Sequence, residues 1–384
     1  MEPAAPAHRP LGVYVHVPFC SSTCDFCAFY QEEPKRADLD RYLDGIVKEL
    51  ALTKPDRPAE TFFWGGGTPS VLPAEDMLRL GRALLDHFGQ APKEWTIEMA
   101  PSSVKADKLD ALKSLGVNRI SLGVQSFDDA TLTALGRRQS PTQVYAAIEL
   151  IRAAGFENLN FDLMFSVPGQ KTETWLADLA EAVRLAPAHI STYCLTFEED
   201  TVLWLKLAKG QVRPDIQVDA NLYETTWTFL KAAGYHQYEI SNYAHKGREC
   251  QHNLSTWAMD EWIGLGPSAA SQFNGQRYAN PPDLTRWLAG VEAGTPEHVD
   301  VIPLTPTLLA SDALIFGLRL NAGVNLSTLC KRFRDFSFAK LEPLWAKLIE
   351  EKLLERNGSV IRLSRSGRLL ADRVGVAILE AVEK

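Results

Sequence analysis

The chain has 384 residues, of which 46% are hydrophobic and 23% charged, a composition typical of a folded globular protein. Its 40 Lys and Arg against 48 Asp and Glu give a net charge of −8, which argues against a nucleic-acid partner that would need a basic face. Its apolar runs fall far short of the roughly 20 residues that a membrane-spanning helix requires, so we expect no integral membrane segment.

The first ten residues, MEPAAPAHRP, lack the apolar stretch of a secretory signal. We therefore expect a flexible tail at residues 1–10 and a cytoplasmic protein. The cysteines agree with a reducing compartment, because three of the six crowd into residues 20–27 and the others stand far apart. Such spacing is unlike a disulfide framework.

Short β-branched or aromatic runs alternate with longer amphipathic runs through residues 11–210. The predicted strands are Leu11–Val17, Glu60–Trp64, Trp95–Met99, Arg119–Leu122, Asn158–Met164 and Ile190–Leu195. The predicted helices between and after them are Asp40–Leu52, Ala74–His87, Asp107–Leu115, Gln143–Ala154 and Thr174–Leu185. Six such repeats favour an α/β fold with a parallel sheet. A partial (β/α)6 barrel built this way binds its ligands at the C-terminal ends of the strands.

Beyond residue 210 the alternation stops. We expect an extension at 211–300, with a long helix at Val218–Ala233, an irregular stretch at 235–280 and a linker-like stretch with a short helix at 281–306. Residues 301–384 predict a C-terminal domain of helices and a hairpin that turns at Asn357-Gly358. Helices followed by a two-stranded wing resemble a winged-helix module, which in an acidic chain favours a packing role over DNA binding.

Three cysteines in the pattern C-x3-C-x2-C follow the first predicted strand: Cys20, Cys24 and Cys27. Thiolates ligate zinc and iron–sulfur clusters. A structural zinc site needs four ligands, and here only His16 in the preceding strand is near enough in sequence to be the fourth. Three thiolates leave one iron of a [4Fe–4S] cube open to a further ligand, and this arrangement is the one we favour.

This spacing at the start of a β/α repeat resembles the radical S-adenosylmethionine (radical SAM) superfamily. The resemblance continues through FWGGGTPS at 63–70, IEMAPSS at 97–103, RISLGVQSFDDATLTALGRR at 119–138 and NFDLMFSVPGQ at 160–170. Together with residues 238–257, 263–271 and 317–324, the ordered set looks like the branch that contains coproporphyrinogen oxidases and heme chaperones.

The resemblance implies that Cys20, Cys24 and Cys27 hold the [4Fe–4S] cluster. It also implies a set of contacts to S-adenosylmethionine (SAM), made by Tyr14, Phe26, Gly66, Gly67, Thr68, Glu98, Gln125, Arg137 and Asp162. Glycines admit a close backbone approach to a ligand, and Arg137 is suited to pair with the SAM carboxylate. Taken singly, each polar side chain at a strand end is equally suited to a structural hydrogen bond.

Two branches of the family compete, and the residue two positions after the third cysteine favours one of them. The oxygen-independent oxidases carry a fourth cysteine there and a longer N-terminal segment, whereas this chain has Phe29. The ending C-x-F resembles the HemW-type heme chaperones, which implies heme, apo-hemoprotein recipients and an electron donor for the cluster. The alternatives are an oxygen-independent coproporphyrinogen III oxidase, which makes protoporphyrinogen IX, or a radical SAM enzyme that degrades heme.

A further motif of the chaperone branch lies in the 211–300 extension and is HNLSTW here, at residues 252–257, with Thr256 where a tyrosine is usual. We call it the HN motif. The resemblance makes His252 a candidate axial heme ligand, since a neutral imidazole commonly binds iron. Cys250 is a second candidate. The alternative for a single histidine in a loop is a structural polar role.

Overall fold

Parallel strands form the centre of the protein in its computed structural model, which describes residues 9–383. Strands β1 to β6 are Leu11–Val17, Thr61–Gly66, Glu94–Met99, Arg119–Gln125, Asn158–Phe165 and His189–Cys194. Helices α1 to α6 are Arg36–Leu52, Ala74–Phe88, Ala106–Leu115, Asp129–Ala134, Pro141–Ala153 and Thr172–Arg184. The strands pair side by side in chain order, all parallel. The predicted α/β fold is thereby confirmed. Positions 1–8 of the expected tail lie outside the described residues.

The pattern of β1 shows why these residues form a sheet covered by helices. Leu11, Val13, Val15 and Val17 are completely buried, because they share a core with the apolar stripe of α1. The alternate positions face the concave side of the sheet, where Gly12 packs against the ring of His252. Alternation with a period of two thus separates a dry helical layer from a polar interior.

Residues 202–303 extend the sheet at both edges. The elements are α7 (Val202–Ala208), α8 (Ile216–Ala232), β7 (His236–Gln237), β8 (Asn242–Ala244), α9 (Gln251–Trp257), β9 (Glu261–Leu265), β10 (Ala270–Phe273), β11 (Gln276–Ala279), α10 (Leu284–Glu292) and β12 (Val299–Pro303). Strand β8 pairs with β6 and β9 pairs in parallel with β1, so the sheet has twelve strands and runs across residue 210. The long and the short helix expected here are present as α8 and α10. The stretches predicted to be irregular or linker-like nevertheless contain strands, because strands of two to five residues are too short to show an alternating pattern.

The C-terminal region has a hydrophobic core of its own around the buried side chains of Leu314, Trp345 and Ile361. Its elements are α11 (Pro306–Gly317), β13 (Val324–Asn325), α12 (Leu326–Arg332), α13 (Glu342–Glu350), β14 (Leu354–Asn357), β15 (Val360–Leu363), α14 (Arg365–Leu369) and α15 (Ala371–Glu383). The predicted hairpin is present, and β13 adds a third antiparallel strand to it. Within residues 9–383, none of the helices has both the length and the apolar character to cross a membrane.

Helix α10 anchors the extension to the first repeat through a close contact with α1. A Cβ atom added at Gly45 of α1 would lie 2.6 Å from the ring of Trp287 and 2.7 Å from Leu288. Both side chains are 2% exposed, so neither can turn aside. Glycine at this position therefore sets how closely α1 and α10 approach.

We predict that Gly45→Ala destabilises the fold, although alanine is the better helix former by about 1 kcal/mol. Overpacking of this kind costs about 1–3 kcal/mol. Urea unfolding of parent and variant measures the difference. The control is Ala51→Gly at an exposed position of the same helix, where only helix propensity changes. A Gly45→Ala variant more stable than the parent would contradict the packing argument.

Candidate functional site

A cleft of about 1000 Å³ lies at the C-terminal ends of the parallel strands. Its lining comes from the segments that follow β1 to β6, as expected for parallel β/α repeats. Apart from Tyr14, every residue predicted for the cluster or for SAM lines this cleft: Cys20, Cys24, Phe26, Cys27, Gly66, Gly67, Thr68, Glu98, Gln125, Arg137 and Asp162. The structure thus gathers residues spread over more than 140 positions of the chain.

The segment that carries the cysteines has no helix or strand between β1 and α1, and contacts with distant segments fix its path. The Asp25 amide donates to the Leu135 carbonyl (3.0 Å), and the Asp25 carbonyl accepts from Leu203 of α7 (2.9 Å). Lys206 of α7 donates to the Asp25 carboxylate at 2.8 Å. Because Asp25 stands between the second and third cysteines, these bonds set the spacing of the thiols.

The three thiols are half-buried and share one wall of the cleft. Within residues 9–383, no three His, Cys, Asp or Glu side chains converge on a site for a single ion. A [4Fe–4S] cube can use all three thiolates, each on a different iron, whereas a structural zinc ion needs a fourth ligand. Burial raises the pKa of Cys20 and Cys27, and the nearby Arg137 guanidinium acts in the opposite direction.

The glycine-rich segment after β2 packs directly against the end of β1. Gly66 has a φ of +100°, and a Cβ there would lie 2.6 Å from the His16 ring. A Cβ on Gly67 would lie 2.9 Å from the carbonyl oxygens of Val17 and Phe19. The sequence predicted glycine here for the approach of a ligand, but contact with β1 already requires it. The Thr68 hydroxyl lies 3.1 Å from Cys20 Sγ, so it supports the cysteine segment.

Two carboxylates, Glu98 and Asp162, stand together in the floor of the cleft. Burial, and then the charge of Asp162, raise the pKa of Glu98 to about 8. Asp162 accepts hydrogen bonds from Ser121 (2.8 Å) and Asn160 (2.9 Å), and burial raises its pKa too. A cation placed between them would favour the ionised form of both. SAM carries positive charge on its ammonium and sulfonium groups, so this floor suits it.

Arg137 presents its guanidinium to the cleft beside the Phe26 ring, with 5.9 Å between the guanidinium carbon and the ring centre. Among the described residues, no carboxylate lies within 4.0 Å of its nitrogens, and its Nε is buried without a hydrogen-bond partner. An arginine in this state is ready to pair with a carboxylate from a ligand. Gln125 lines the same wall with a left-handed backbone, at a φ of 64°.

Tyr14 lies one layer deeper on the concave face of β1 and is absent from the cleft lining. Its hydroxyl is 3.2 Å from His16 Nδ1, and His16 Nε2 is 3.2 Å from the Tyr30 carbonyl oxygen in the cysteine segment. The structure therefore places Tyr14 behind His16, in support of the cluster segment and the glycines.

The structure separates His252 and Cys250 from the cleft. Thr61 and Glu94 begin β2 and β3, at the end of the barrel opposite to the cysteines. His252 Nδ1 lies 2.8 Å from Thr61 Oγ1, and Cys250 Sγ lies 3.5 Å from Glu94 Oε1. Cys250 is fully buried and His252 is 8% exposed. The HN motif is thus on α9 rather than in a loop, and its heme-ligand role stays a prediction.

Helix α9 is fixed in this position by its N-terminus. The Glu94 carboxylate accepts from the backbone amides of Gln251 and His252, both at 3.0 Å. A carboxylate at a helix N-terminus accepts hydrogen bonds from the free backbone amides and interacts favourably with the positive end of the helix dipole. The helix therefore closes the N-terminal end of the barrel.

Sequence reasoning missed several residues that line the cleft, among them Arg138, Tyr193, Cys194 and Glu198. Tyr193 and Cys194 end β6, and Glu198 follows it. The position of Tyr193, Cys194 and Glu198 at or after the end of a parallel strand could have identified them from the sequence, since ligands in such folds bind at these strand ends.

Comparison with known proteins agrees with this geometry. The radical SAM superfamily pattern matches residues 14–182, and that of the HemN C-terminal domain matches residues 304–370. A protein of Bacillus subtilis (strain 168) named heme chaperone HemW is 32% identical over 95% of this chain and 98% of its own length. The chain belongs to the HemW family.

Further relatives show the same family. A HemW of Mycobacterium tuberculosis (strain ATCC 25618 / H37Rv) is 33% identical over 95% of this chain and 94% of its own length. The HemW of Escherichia coli (strain K12) is 39% identical over 68% of this chain and 69% of its own. The solved structure of the radical SAM enzyme coproporphyrinogen III oxidase (HemN) from Escherichia coli superposes with a TM-score of 0.83 at 25% identity, covering 96% of this chain and 90% of that one. Radical SAM membership implies a [4Fe–4S] cluster and SAM.

We predict that Arg137→Ala weakens SAM binding to the cluster-loaded protein by about 1.5–3 kcal/mol, the worth of a hydrogen bond to a charged group. Isothermal titration under anaerobic conditions measures the dissociation constant. Arg138→Ala is the control, because it removes the neighbouring positive charge from the exposed edge of the same cleft. Equal affinities for the parent and the Arg137 variant would refute the proposed carboxylate contact.

We predict that the buried His252 makes the free energy of unfolding fall as the pH becomes acidic. Burial, and then the charge of Arg119, lower the pKa of His252 from 6.5 to about 4. Between these values the unfolded chain binds a proton that the folded chain excludes, so stability falls as pH falls. By linkage the loss reaches about 2 kcal/mol at about pH 5.

The variant His252→Gln removes this titration. Between neutral pH and about pH 5 its free energy of unfolding should therefore fall by about 2 kcal/mol less than that of the parent. Urea unfolding of the cluster-free, reduced chain at both pH values measures it. The control is His236→Gln, since the His236 side chain is exposed. Identical pH slopes for the parent and the His252 variant would show that the imidazole is not held neutral in the fold.

Proposed function

We propose that this chain is a heme chaperone that carries a [4Fe–4S] cluster, SAM and heme, and that it delivers heme to apo-hemoproteins in the cytoplasm. The observation that carries the proposal is Phe29, which lines the cleft two residues after the third cysteine. An oxidase of the related branch has a fourth cysteine there. The curated relatives that match the chain almost end to end are named heme chaperones.

In this proposal Cys20, Cys24 and Cys27 hold the cluster. Arg137 binds the carboxylate of SAM, and the Glu98 and Asp162 carboxylates face its positive groups. When bound, the cluster and SAM supply one-electron chemistry, for which an electron donor is a further partner. The protein contributes position and charge: the α7 contacts at Asp25 hold the thiols, and the buried floor favours a cation.

The second candidate is an oxygen-independent coproporphyrinogen III oxidase, and the likeness to the oxidase structure along 96% of the chain favours it. That function needs turnover of porphyrinogen and not only binding of a tetrapyrrole. A radical SAM enzyme that opens heme is the third candidate, and it would consume the bound heme.

Anaerobic reconstitution followed by paired assays tests the proposal. The parent should hold about four iron and four sulfide per chain, and Cys24→Ala should lose them, because two thiolates do not retain the cube. Cys330→Ala, an exposed cysteine of the C-terminal region, is the matched control and should keep its iron.

The reconstituted parent should bind heme and pass it to an apo-hemoprotein such as apomyoglobin, without converting coproporphyrinogen III. Conversion to protoporphyrinogen IX at a catalytic rate would assign the chain to the oxidases instead. Loss of the heme absorption band with SAM and reductant would assign it to the heme-degrading enzymes.

A further inference from the structure

The edge of the cleft carries exposed aromatic surface that the cluster and SAM predictions do not use. Phe29 follows the third cysteine, and its side chain is 67% exposed. Tyr193, at the end of β6, is 40% exposed and lines the same cleft. Together with Arg138 we call these residues the cleft rim. Large aromatic side chains bury well against flat apolar ligands, so two of them on one cleft suit such a ligand.

The predicted contacts to the cluster and to SAM leave part of the cleft lining unused. The predicted SAM contacts are half-buried or buried, whereas Phe29, Arg138 and Tyr193 are exposed. The rim is therefore accessible to a ligand other than SAM.

The charges at the rim favour an anionic group on that molecule. Arg138 is exposed, and among residues 9–383 no carboxylate pairs with it within 4.0 Å. Arg137 next to it is assigned to the SAM carboxylate, which leaves Arg138 free for another anion. Glu198 also lines the cleft and is exposed, and its negative charge disfavours an anionic group beside it.

The HN motif offers no comparable opening. His252 Nδ1 lies 2.8 Å from Thr61 Oγ1, and the His252 ring packs at a tilt against Phe63, with ring centres 5.2 Å apart. Glu94 holds the first turn of its helix by two amide bonds. A macrocycle could reach the His252 ring only if α9 left the end of the barrel.

We propose that the heme of the proposed function binds at the cleft rim, with its ring against Phe29 and Tyr193 and a propionate on Arg138. This inference rests on the heme-chaperone proposal and gives its heme site. It assigns a role to the residue that distinguishes this chain from the oxidases, since Phe29 provides an apolar face where they have a thiol. The site also places heme beside the cluster and SAM in a single cleft.

Titration of cluster-loaded, SAM-saturated protein with ferric heme tests the site, followed by the heme absorption band. Phe29→Ser and Arg138→Glu should each weaken heme binding about tenfold or more, which corresponds to about 1.4 kcal/mol. His252→Gln should leave the affinity within about twofold of the parent, a free-energy change of less than about 0.5 kcal/mol. Iron content is measured for every variant, so that loss of the cluster is not mistaken for loss of the heme site.

Two matched controls accompany these variants. Ile216→Ser removes an 84% exposed apolar side chain that does not line the cleft. Arg334→Glu reverses an exposed charge in the C-terminal region and changes the net charge as much as Arg138→Glu does. Both should bind heme like the parent.

Parent-like affinity in both rim variants would overturn the inference while the heme-chaperone proposal stands. The inference is equally overturned if His252→Gln loses heme and the rim variants retain it, since heme would then bind at the HN motif. A parent that binds no heme with its cluster intact would instead refute the proposed function itself.

Discussion

The parallel register between β1 and β2 is the constraint on which the site depends. Val17 pairs with Gly66, and the ladder continues beyond the strands through the amides of Gly67 and Thr68, which donate to the carbonyls of Val17 and Phe19. This pairing places the cysteine segment directly beside the glycine-rich segment. A slip of one residue would turn His16 to the helical face and separate the Thr68 hydroxyl from Cys20. The chemistry of the cleft is thus positioned by backbone hydrogen bonds before any ligand enters.

The concave side of the sheet is polar along its length, and this polarity connects the floor of the cleft to the other end of the barrel. Asn160 donates to Asp162 and lies 2.6 Å from His189 Nδ1, while His189 Nε2 lies 2.9 Å from the Tyr238 hydroxyl. Buried polar groups of this kind are costly unless each has a partner, so a satisfied network resists rearrangement. Asp162 is therefore held in one orientation toward the cleft, as a binding floor requires.

The parts of this molecule that depend on local pattern could be predicted from the sequence. β1 was predicted with its observed ends, and the cysteine spacing and the glycines after β2 pointed to one cleft. Contacts between remote segments could not be predicted in this way. The parallel pairing of Leu11 with Glu261 has no signature in the local sequence, and β9 is too short to be recognised by an alternating pattern. His252 appeared as a free ligand in a loop because the partners that bury it, Thr61 and Glu94, lie 191 and 158 residues away.

The position of β1 between β2 and β9 has a consequence for how the protein is made. β1 is synthesised before the other strands of the described sheet, yet one of its two neighbours follows 250 residues later, as the pairing of residue 11 with residue 261 requires. At a synthesis rate of about 5–20 residues per second, one edge of β1 stays unpaired for about 10–50 s until β9 has been synthesised. During that time the growing chain presents an open apolar strand together with three uncapped thiols. A cell that makes this protein has to protect both the strand edge and the thiols until the second half of the sheet arrives.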